Sequence, residues 1–262
     1  MTLYRQALRQ QVLSLLLWFL AFAAMAGTVA SVAGAMQHTD VVQAMLNQMP
    51  AAMRALIGGD LMLTRPIDAY LNGKIFQYLP VMVGIFAAFQ AAGLFAREAE
   101  QHRFDFLLGL PISRRQLLLA RFGALLTTVA ALWALTILAL TALLRQQGIS
   151  GDPAGYWLTA YNGFLVDLLL AAVALWVSAG ASEYRRALRT ALVIVAVPFV
   201  IDLSLRLAQA AKGWLYLQPY GYYDPPQMML THAFPWVTTL VLGGAAALVT
   251  ALALRTFLRR EV

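Results

Sequence analysis

The chain has 262 residues, of which 61% are hydrophobic and only 12% are charged, and its mean hydropathy is +0.70. A soluble domain is about half apolar and about a quarter charged, so this composition excludes a soluble globular enzyme. It also excludes a disordered chain, which needs low hydrophobicity and high charge. Because there is no cysteine, the chain has no disulfide, no thiolate nucleophile and no cysteine ligand for zinc. The composition therefore indicates an integral membrane protein.

Six apolar runs are each near or above the length of about 20 residues that a helix needs to cross a bilayer. They are residues 12–34, 75–96, 119–144, 159–181, 190–208 and 232–254. We therefore predict an all-α integral membrane protein with six transmembrane helices, in which residues 1–262 form a single domain.

The first connection, residues 37–74, is long enough to have structure of its own. Apolar residues recur at three- and four-residue spacing between positions 42 and 57, which favours a helix lying on the outer leaflet. The alternative is a methionine-rich lid over an apolar substrate path, since methionine repacks around varied shapes.

The basic residues orient the chain in the membrane. Thirteen of the 19 lysines and arginines precede the first run, follow the last run, lie in the second and fourth connections or, in the case of Arg121, lie at the start of the third run. The positive-inside rule places these segments, and therefore both termini, in the cytoplasm. The net charge of +7 is explained by this topology and gives no support to a nucleic-acid partner. A multi-pass protein of the cell membrane is predicted.

The cytoplasmic segment 97–118 joins the second and third runs and has an amphipathic pattern. Phe104, Leu107 and Leu108 share one helical face, while Glu98, Glu100 and Asp105 lie on others. Gly109 and Pro111 end this helix, and Ser113 is placed to cap the next one. Arg114 and Arg115 then fall in its first turn, where cations oppose the helix dipole, so a phosphate or an acidic partner explains them better than local stability. The pattern alone leaves a solvated loop and a docking site for a cytoplasmic protein as equal alternatives.

Three charged residues fall within or near the apolar runs. Asp202 and Arg206 are four residues apart with the acid first, which is the favourable order for a pair on one helical face. We interpret them as an intramembrane polar pair near the outer end of the fifth helix, and a contact to substrate is the alternative. Asp167 lies in the fourth run. Small residues at three- or four-residue steps predict close packing within the bundle or at a dimer seam. They form three rows: Gly27, Ser31 and Gly34; Gly84, Ala88 and Ala92; and Gly243 and Ala247.

Several motifs now identify a resemblance. They are Phe95-Ala-Arg-Glu-Ala-Glu100, Leu107-Leu-Gly-Leu-Pro-Ile-Ser-Arg-Arg115 and Arg121. Together they resemble the region between the second and third spans of type 2 ABC exporter permeases. Residues 5–18 are similar to the amphipathic elbow of that family, residues 50–70 to its first outer loop, and residues 217–225 to its last outer turn. These stretches occur in order over nearly the whole chain. One departure is His102-Arg103, where many members have Gly-Thr.

The resemblance implies a permease that works as a dimer, with a second copy or a paralogue, together with two cytoplasmic ABC ATPase subunits. It makes residues 98–108 the coupling helix that sits in a groove of the ATPase. Its polar contacts would be Glu98, Glu100 and Asp105, its apolar contacts Phe104 and Phe106, with Arg114 and Arg115 beside it.

The chain contains no phosphate-binding loop, since Gly73-Lys74 lacks the upstream glycine and the following Ser or Thr. ATP and Mg are therefore expected in the partner ATPase, and no cofactor, metal or catalytic residue is expected in this chain. An amphipathic or lipidic cargo is the substrate class that the apolar path favours.

Two other classes remain as alternatives. One is an ion-coupled secondary transporter or a membrane scaffold, although an ion-coupled carrier would need more intramembrane acids than this chain has. An intramembrane enzyme has little support, because His38, His102 and His232 fall on different segments and no catalytic motif is present. Co-purification of a separately encoded ATPase would discriminate between these classes.

Overall fold

The computed structural model describes residues 2–36, 48, 65–100, 113–208 and 212–259. The ten α-helices in these ranges are α1 (Thr2–Met36), α2 (Pro66–Leu71), α3 (Leu79–Gly93), α4 (Ala96–Glu100), α5 (Arg114–Gln146), α6 (Pro153–Gly180), α7 (Tyr184–Leu207), α8 (Lys212–Leu215), α9 (Pro225–Thr231) and α10 (Trp236–Leu258). A π-helical turn, Asn72–Phe76, joins α2 to α3, and a 3-10 turn, Pro219–Tyr222, lies between α8 and α9. The amphipathic helices predicted within residues 42–57 and 98–108 fall largely outside the described residues.

Within the described residues, six helical stretches are long and apolar enough to cross a membrane, which confirms the predicted all-α fold with six spans. They are α1, the combined stretch Pro66–Gly93, α5, α6, α7 and α10. Since the chain crosses an even number of times, its first and last helices begin and end on the same side. We call this side the terminal end and the other side the loop end. The assignment of the terminal end to the cytoplasm stays a prediction from the distribution of arginines.

Two spanning helices, α5 and α6, begin before their apolar runs, and a polar residue caps the start of each. Ser113 Oγ accepts a hydrogen bond from the Gln116 N–H at 3.2 Å, and Gln116 Oε1 accepts one from the Ser113 N–H at 3.4 Å. This capping box confirms the cap predicted at Ser113 and starts α5 five residues before its apolar run. At the loop end, Asp152 and Asp224 each cap a helix whose first residue is proline.

The last spanning helix begins at Trp236 and not at His232, where its apolar run starts. His232 takes the left-handed conformation, with a φ of 51°, and terminates α9. Pro235 then occupies the cap position before α10. The first helix, in contrast, begins earlier than its apolar run. Residues 5–18, which resemble an elbow, continue into the first span as one unbroken helix.

The core of the bundle is formed by α3, α5 and α6. Half or more of the most apolar stretch of each of these spans is buried, whereas α1, α7 and α10 have less than a quarter buried. The main packing partners are not neighbours in the chain: α6 lies against α10 and α3, and α1 lies against α5. Leucines and valines cover the outer faces of α1, α7 and α10, as expected for surfaces that meet lipid or another subunit.

Small residues allow the central helices to approach closely. A Cβ on Gly84 of α3 would come within 3.1 Å of Val195 on α7 and within 3.2 Å of Asp167 on α6. Ala88 and Ala92 continue this row and are buried. This row of small residues therefore packs inside the bundle. Gly27 and Gly243 do not, since a Cβ added at either position would have no atom within 4 Å.

Gly163 of α6 lies in close contact with α5, because it makes room for the indole of Trp133. We predict that Gly163→Ala lowers the melting temperature, since the new Cβ would lie 2.4 Å from two ring carbons of Trp133. Overpacking of this kind costs about 1–3 kcal/mol. The measurement is thermal unfolding in detergent, with Gly243→Ala as the control, where the same methyl group meets open space. Equal melting temperatures for the two variants would contradict the prediction.

Candidate functional site

The predicted coupling segment begins where α3 ends at the terminal end of the bundle. Residues 94–95 form a bend after α3, and α4 follows it. Glu98 lies in α4, but its side chain is outside the described part of the structure, as are Phe104, Asp105 and Phe106. The residues on either side of the undescribed stretch 101–112 are described, and they define how it is attached.

The bend is bonded to three spanning helices. Arg121 of α5 donates a hydrogen bond to the carbonyl oxygen of Leu94, and its guanidinium lies 5.4 Å from the centre of the Phe95 ring. Ser178 of α6 accepts from the Phe95 N–H at 3.3 Å and donates to the Ala92 carbonyl at 3.1 Å. The Phe95 ring also packs against Phe257 of α10, with centroids 4.5 Å apart. The start of the coupling segment is therefore held by α5, α6 and α10.

Helix α4 is joined to the first residue of α7. Arg97 donates to the Tyr184 hydroxyl at 2.9 Å, and its guanidinium lies 4.3 Å from the centre of the Tyr184 ring. The Tyr184 N–H donates to Glu100 Oε2 at 3.3 Å. Glu183, at the cap position of α7, accepts no side-chain capping bond, so Glu100 supplies an acceptor and a negative charge to this helix start.

The opposite flank of the segment is the first turn of α5. Arg115 is exposed and Arg114 is half-buried there, directly after the Ser113 cap. The first turn of α5, which directly follows residues 101–112 in the chain, therefore has two cations. We call the whole arrangement the coupling junction; it consists of Leu94–Glu100, Ser113–Arg115, Arg121, Ser178 and Tyr184. Its described side chains include four arginines, the carboxylate of Glu100 and hydrogen bonds that join separate helices.

The predicted polar pair lies at the loop end, near the end of α7. Arg206 Nε donates to Asp202 Oδ2 at 2.7 Å, and Gln218 Nε2 donates to Asp202 Oδ1 at 2.7 Å. Arg206 Nη2 donates to the carbonyl oxygen of Tyr220 at 3.3 Å and to that of Tyr223 at 3.1 Å. The pair therefore fastens the segment before α9 onto α7.

The two tyrosine hydroxyls of this segment reach into the bundle. Tyr220 donates to the Val195 carbonyl at 3.2 Å, and Tyr223 donates to the Phe76 carbonyl at 2.8 Å. Burial raises the pKa of both hydroxyls above the ordinary value for tyrosine, so they stay protonated as donors. The resemblance in residues 217–225 marked this turn, but not its hydrogen-bond partners.

A second network at the loop end joins three distant segments. Asp152 Oδ2 accepts from Arg65 at 2.7 Å and lies 2.7 Å from His232 Nε2, while Oδ1 accepts from the Gly155 N–H at 3.2 Å. Partial burial acts to raise the pKa of Asp152, but the bonds from His232 and Gly155 and the charge of Arg65 outweigh it and hold the pKa below its ordinary value. Sequence reasoning missed this network, because only the Asp-Pro cap had a local pattern.

Asp167 is fully buried in the middle of α6. Its Oδ2 accepts from the Trp133 indole N–H at 2.8 Å, and its Oδ1 accepts no hydrogen bond from the described residues. The structure places this residue of the fourth apolar run in the core, between α3, α5 and α7.

The fold and these contacts define a multi-pass membrane protein with a polar junction at one end and an extended polar network at the other. A comparison with family models gives a match to the ABC-2 family transporter protein over residues 1–262. The chain therefore belongs to the ABC-2 family and is a membrane permease subunit of an ABC transporter. A comparison with curated proteins gives no match.

The pair at the end of α7 leads to a prediction on stability. Arg206→Met leaves the buried carboxylate of Asp202 without its cation and removes the donor to two carbonyl groups. We expect a loss of the order of 2 kcal/mol, between the values for exposed and buried ion pairs, and a matching fall in melting temperature. Arg186→Met, an exposed arginine at the other end of α7, is the control. Equal melting temperatures for Arg206→Met and the control variant would contradict the prediction.

Asp152 leads to a prediction on pH. Because its folded pKa is depressed, its contribution to stability is complete above the ordinary value of 3.8 and is lost as the pH falls through the folded pKa. The melting temperature of Asp152→Asn should therefore lie below that of the wild type at about pH 6, and this gap should shrink below about pH 4.

The control for Asp152→Asn is Asp224→Asn, at another capping aspartate of the loop end. Asparagine caps a helix about as well as aspartate, so the control should change little. A gap that stays constant down to about pH 3 would contradict the prediction.

Proposed function

We propose that this permease subunit exports an amphipathic or lipidic substrate by alternating access, driven by ATP and Mg bound to a separate cytoplasmic ABC ATPase. Membership of the ABC-2 family implies association with ABC ATPase subunits. The observation that carries the proposal is the coupling junction, which ties the start of the predicted coupling segment to α5, α6, α7 and α10.

Residues 98–108 would transmit the movement of the ATPase. A force on a loop moves a helix bundle only if the loop is fastened to it. Arg97 and Glu100 fasten α4 to the first turn of α7, and Arg121 fastens the preceding bend to α5. Closure of the ATPase subunits would therefore shift α3, α5 and α7 together. Such a rigid-body shift is the step that would turn an inward-facing cavity outward.

The transporter would contain two permease subunits, either two copies of this chain or one copy with a paralogue. The apolar outer faces of α1, α7 and α10 support this, since they offer area both to lipid and to a second subunit.

An amphipathic cargo is supported by the acidic residues at membrane depth, because they bind groups of the protein itself. Asp167 binds Trp133, and Asp202 binds Arg206, so both acids are engaged within the protein.

The role of the coupling segment leads to a prediction on ATPase association. Reversing both charges in Glu98→Lys/Glu100→Lys should reduce the amount of ATPase that co-purifies with the permease by about tenfold or more, because a charged contact contributes at least about 1.4 kcal/mol. ATP-dependent transport in proteoliposomes should fall with it.

Two control variants separate coupling from folding. Glu183→Lys reverses an exposed acid at the same end, which accepts no capping bond, and should leave association unchanged. Glu100→Gln keeps an acceptor for the Tyr184 N–H and so tests whether the charge itself matters. Full ATPase association in the doubly reversed variant would refute the assigned role of these acids.

A further inference from the structure

A small cavity lies at the terminal end, between α1, α3 and α5. Its volume is about 110 Å³, and it is lined by Gln10, Gln11, Phe89, Gln90, Arg97 and Arg121 together with three apolar or glycine positions. A site for a drug-sized molecule starts at about 300 Å³, so this cavity suits a group of only a few heavy atoms. None of its lining residues, all of which are described, is acidic.

The donors of the cavity match an oxyanion. Arg97 and Arg121 bring two positive charges to it, and guanidinium groups bind phosphate oxygens with paired N–H donors. Gln90 adds an amide nitrogen that is buried and donates to no described acceptor. An unsatisfied buried donor is unfavourable, and an anion in the cavity would satisfy it.

The donors are also held in position before any ligand binds. Arg121 is bonded to the Leu94 carbonyl, and Arg97 lies along Gly93 and donates to Tyr184. Gln11 Oε1 accepts from the Thr128 hydroxyl at 2.8 Å, which fixes the amide of Gln11 against α5. Side chains that are already ordered lose little entropy when a ligand binds.

The cavity lies at the depth of lipid headgroups. The apolar runs of α1, α3 and α5 begin or end at residues 12, 96 and 119, and the lining residues flank these positions in all three helices. Below Gln10, an exposed apolar stripe continues down α1 at Leu13, Leu17 and Leu20, which are each at least 60% exposed. This spacing places the three leucines on one face of the helix, about one to three turns along from Gln10.

We propose that this cavity binds the phosphate group of an anionic phospholipid, whose acyl chains lie along the leucine stripe of α1. Basic pockets between transmembrane helices are suited to such headgroups, because phosphate charge and hydrocarbon are recognised side by side. The proposal concerns a lipid bound to the permease itself and does not depend on the coupling role of residues 98–108.

The test is lipid binding to the full-length permease in a neutral detergent, followed by native mass spectrometry and by the rise in melting temperature. The probes are phosphatidylglycerol, phosphatidylcholine and inorganic phosphate. Phosphatidylglycerol should bind saturably and more tightly than phosphatidylcholine. Arg97→Gln and Gln90→Met should each weaken it by about tenfold, the value for loss of one charged or buried hydrogen bond. Arg5→Gln, an exposed arginine of α1 outside the cavity, should leave binding within about twofold.

Three results would overturn the proposal. If Arg5→Gln weakened phosphatidylglycerol binding as much as Arg97→Gln does, the lipid would be bound only through general surface charge. Binding that does not saturate would mean that no site exists. Protection by inorganic phosphate as strong as that by phosphatidylglycerol would assign the cavity to a free anion. Because Gln90→Met alters no contact of the coupling junction, its effect remains interpretable if Arg97→Gln fails to fold.

Discussion

Inside the hydrocarbon layer no solvent can satisfy a polar group, and this constraint decides where the polar residues of the chain lie. Asp167 is buried against the indole of Trp133, and hydroxyl groups such as that of Thr136 bond to a carbonyl four residues earlier in their own helix. With polar contacts scarce at this depth, the middle of the bundle depends on close packing, for which Gly84 and Gly163 make room. The ends, where water and headgroups are near, hold most of the inter-helix polar contacts.

The two ends use their polar contacts differently. At the loop end, Asp202 with Arg206 and Asp152 with Arg65 fasten the connecting segments onto the helices. At the terminal end, Arg97 and Arg121 join the start of the coupling segment to the bundle. The same two arginines border the cavity assigned to a lipid phosphate. The headgroup layer and the proposed point of force transmission thus meet at one set of side chains.

Local patterns in the sequence predicted the features that depend on residues close together in the chain. Hydropathy located the six spans. The cap at Ser113 and the pair of Asp202 with Arg206 were also predicted, because the partners lie only three and four residues apart in the chain. The contact between Arg97 and Tyr184 joins residues 87 positions apart, and the contacts of Asp152 to Arg65 and His232 join residues 87 and 80 apart. No periodicity or spacing reports such pairs, because each depends on how separate helices pack. Motif resemblance marked Phe95 and Arg121, but it did not indicate which groups they contact.

The sequence by itself determined the class of the protein: its apolar runs set the number of crossings, its arginines predict the direction, and its ordered motifs indicate the family. Only the tertiary structure decided that α3, α5 and α6 form the core and that α1, α7 and α10 lie outside. The physical reason is that all six spans are similarly apolar, since each must be soluble in lipid. Hydropathy therefore separates membrane from water but not protein interior from lipid. That distinction depends on shape, on small residues and on polar partners brought together from distant parts of the chain.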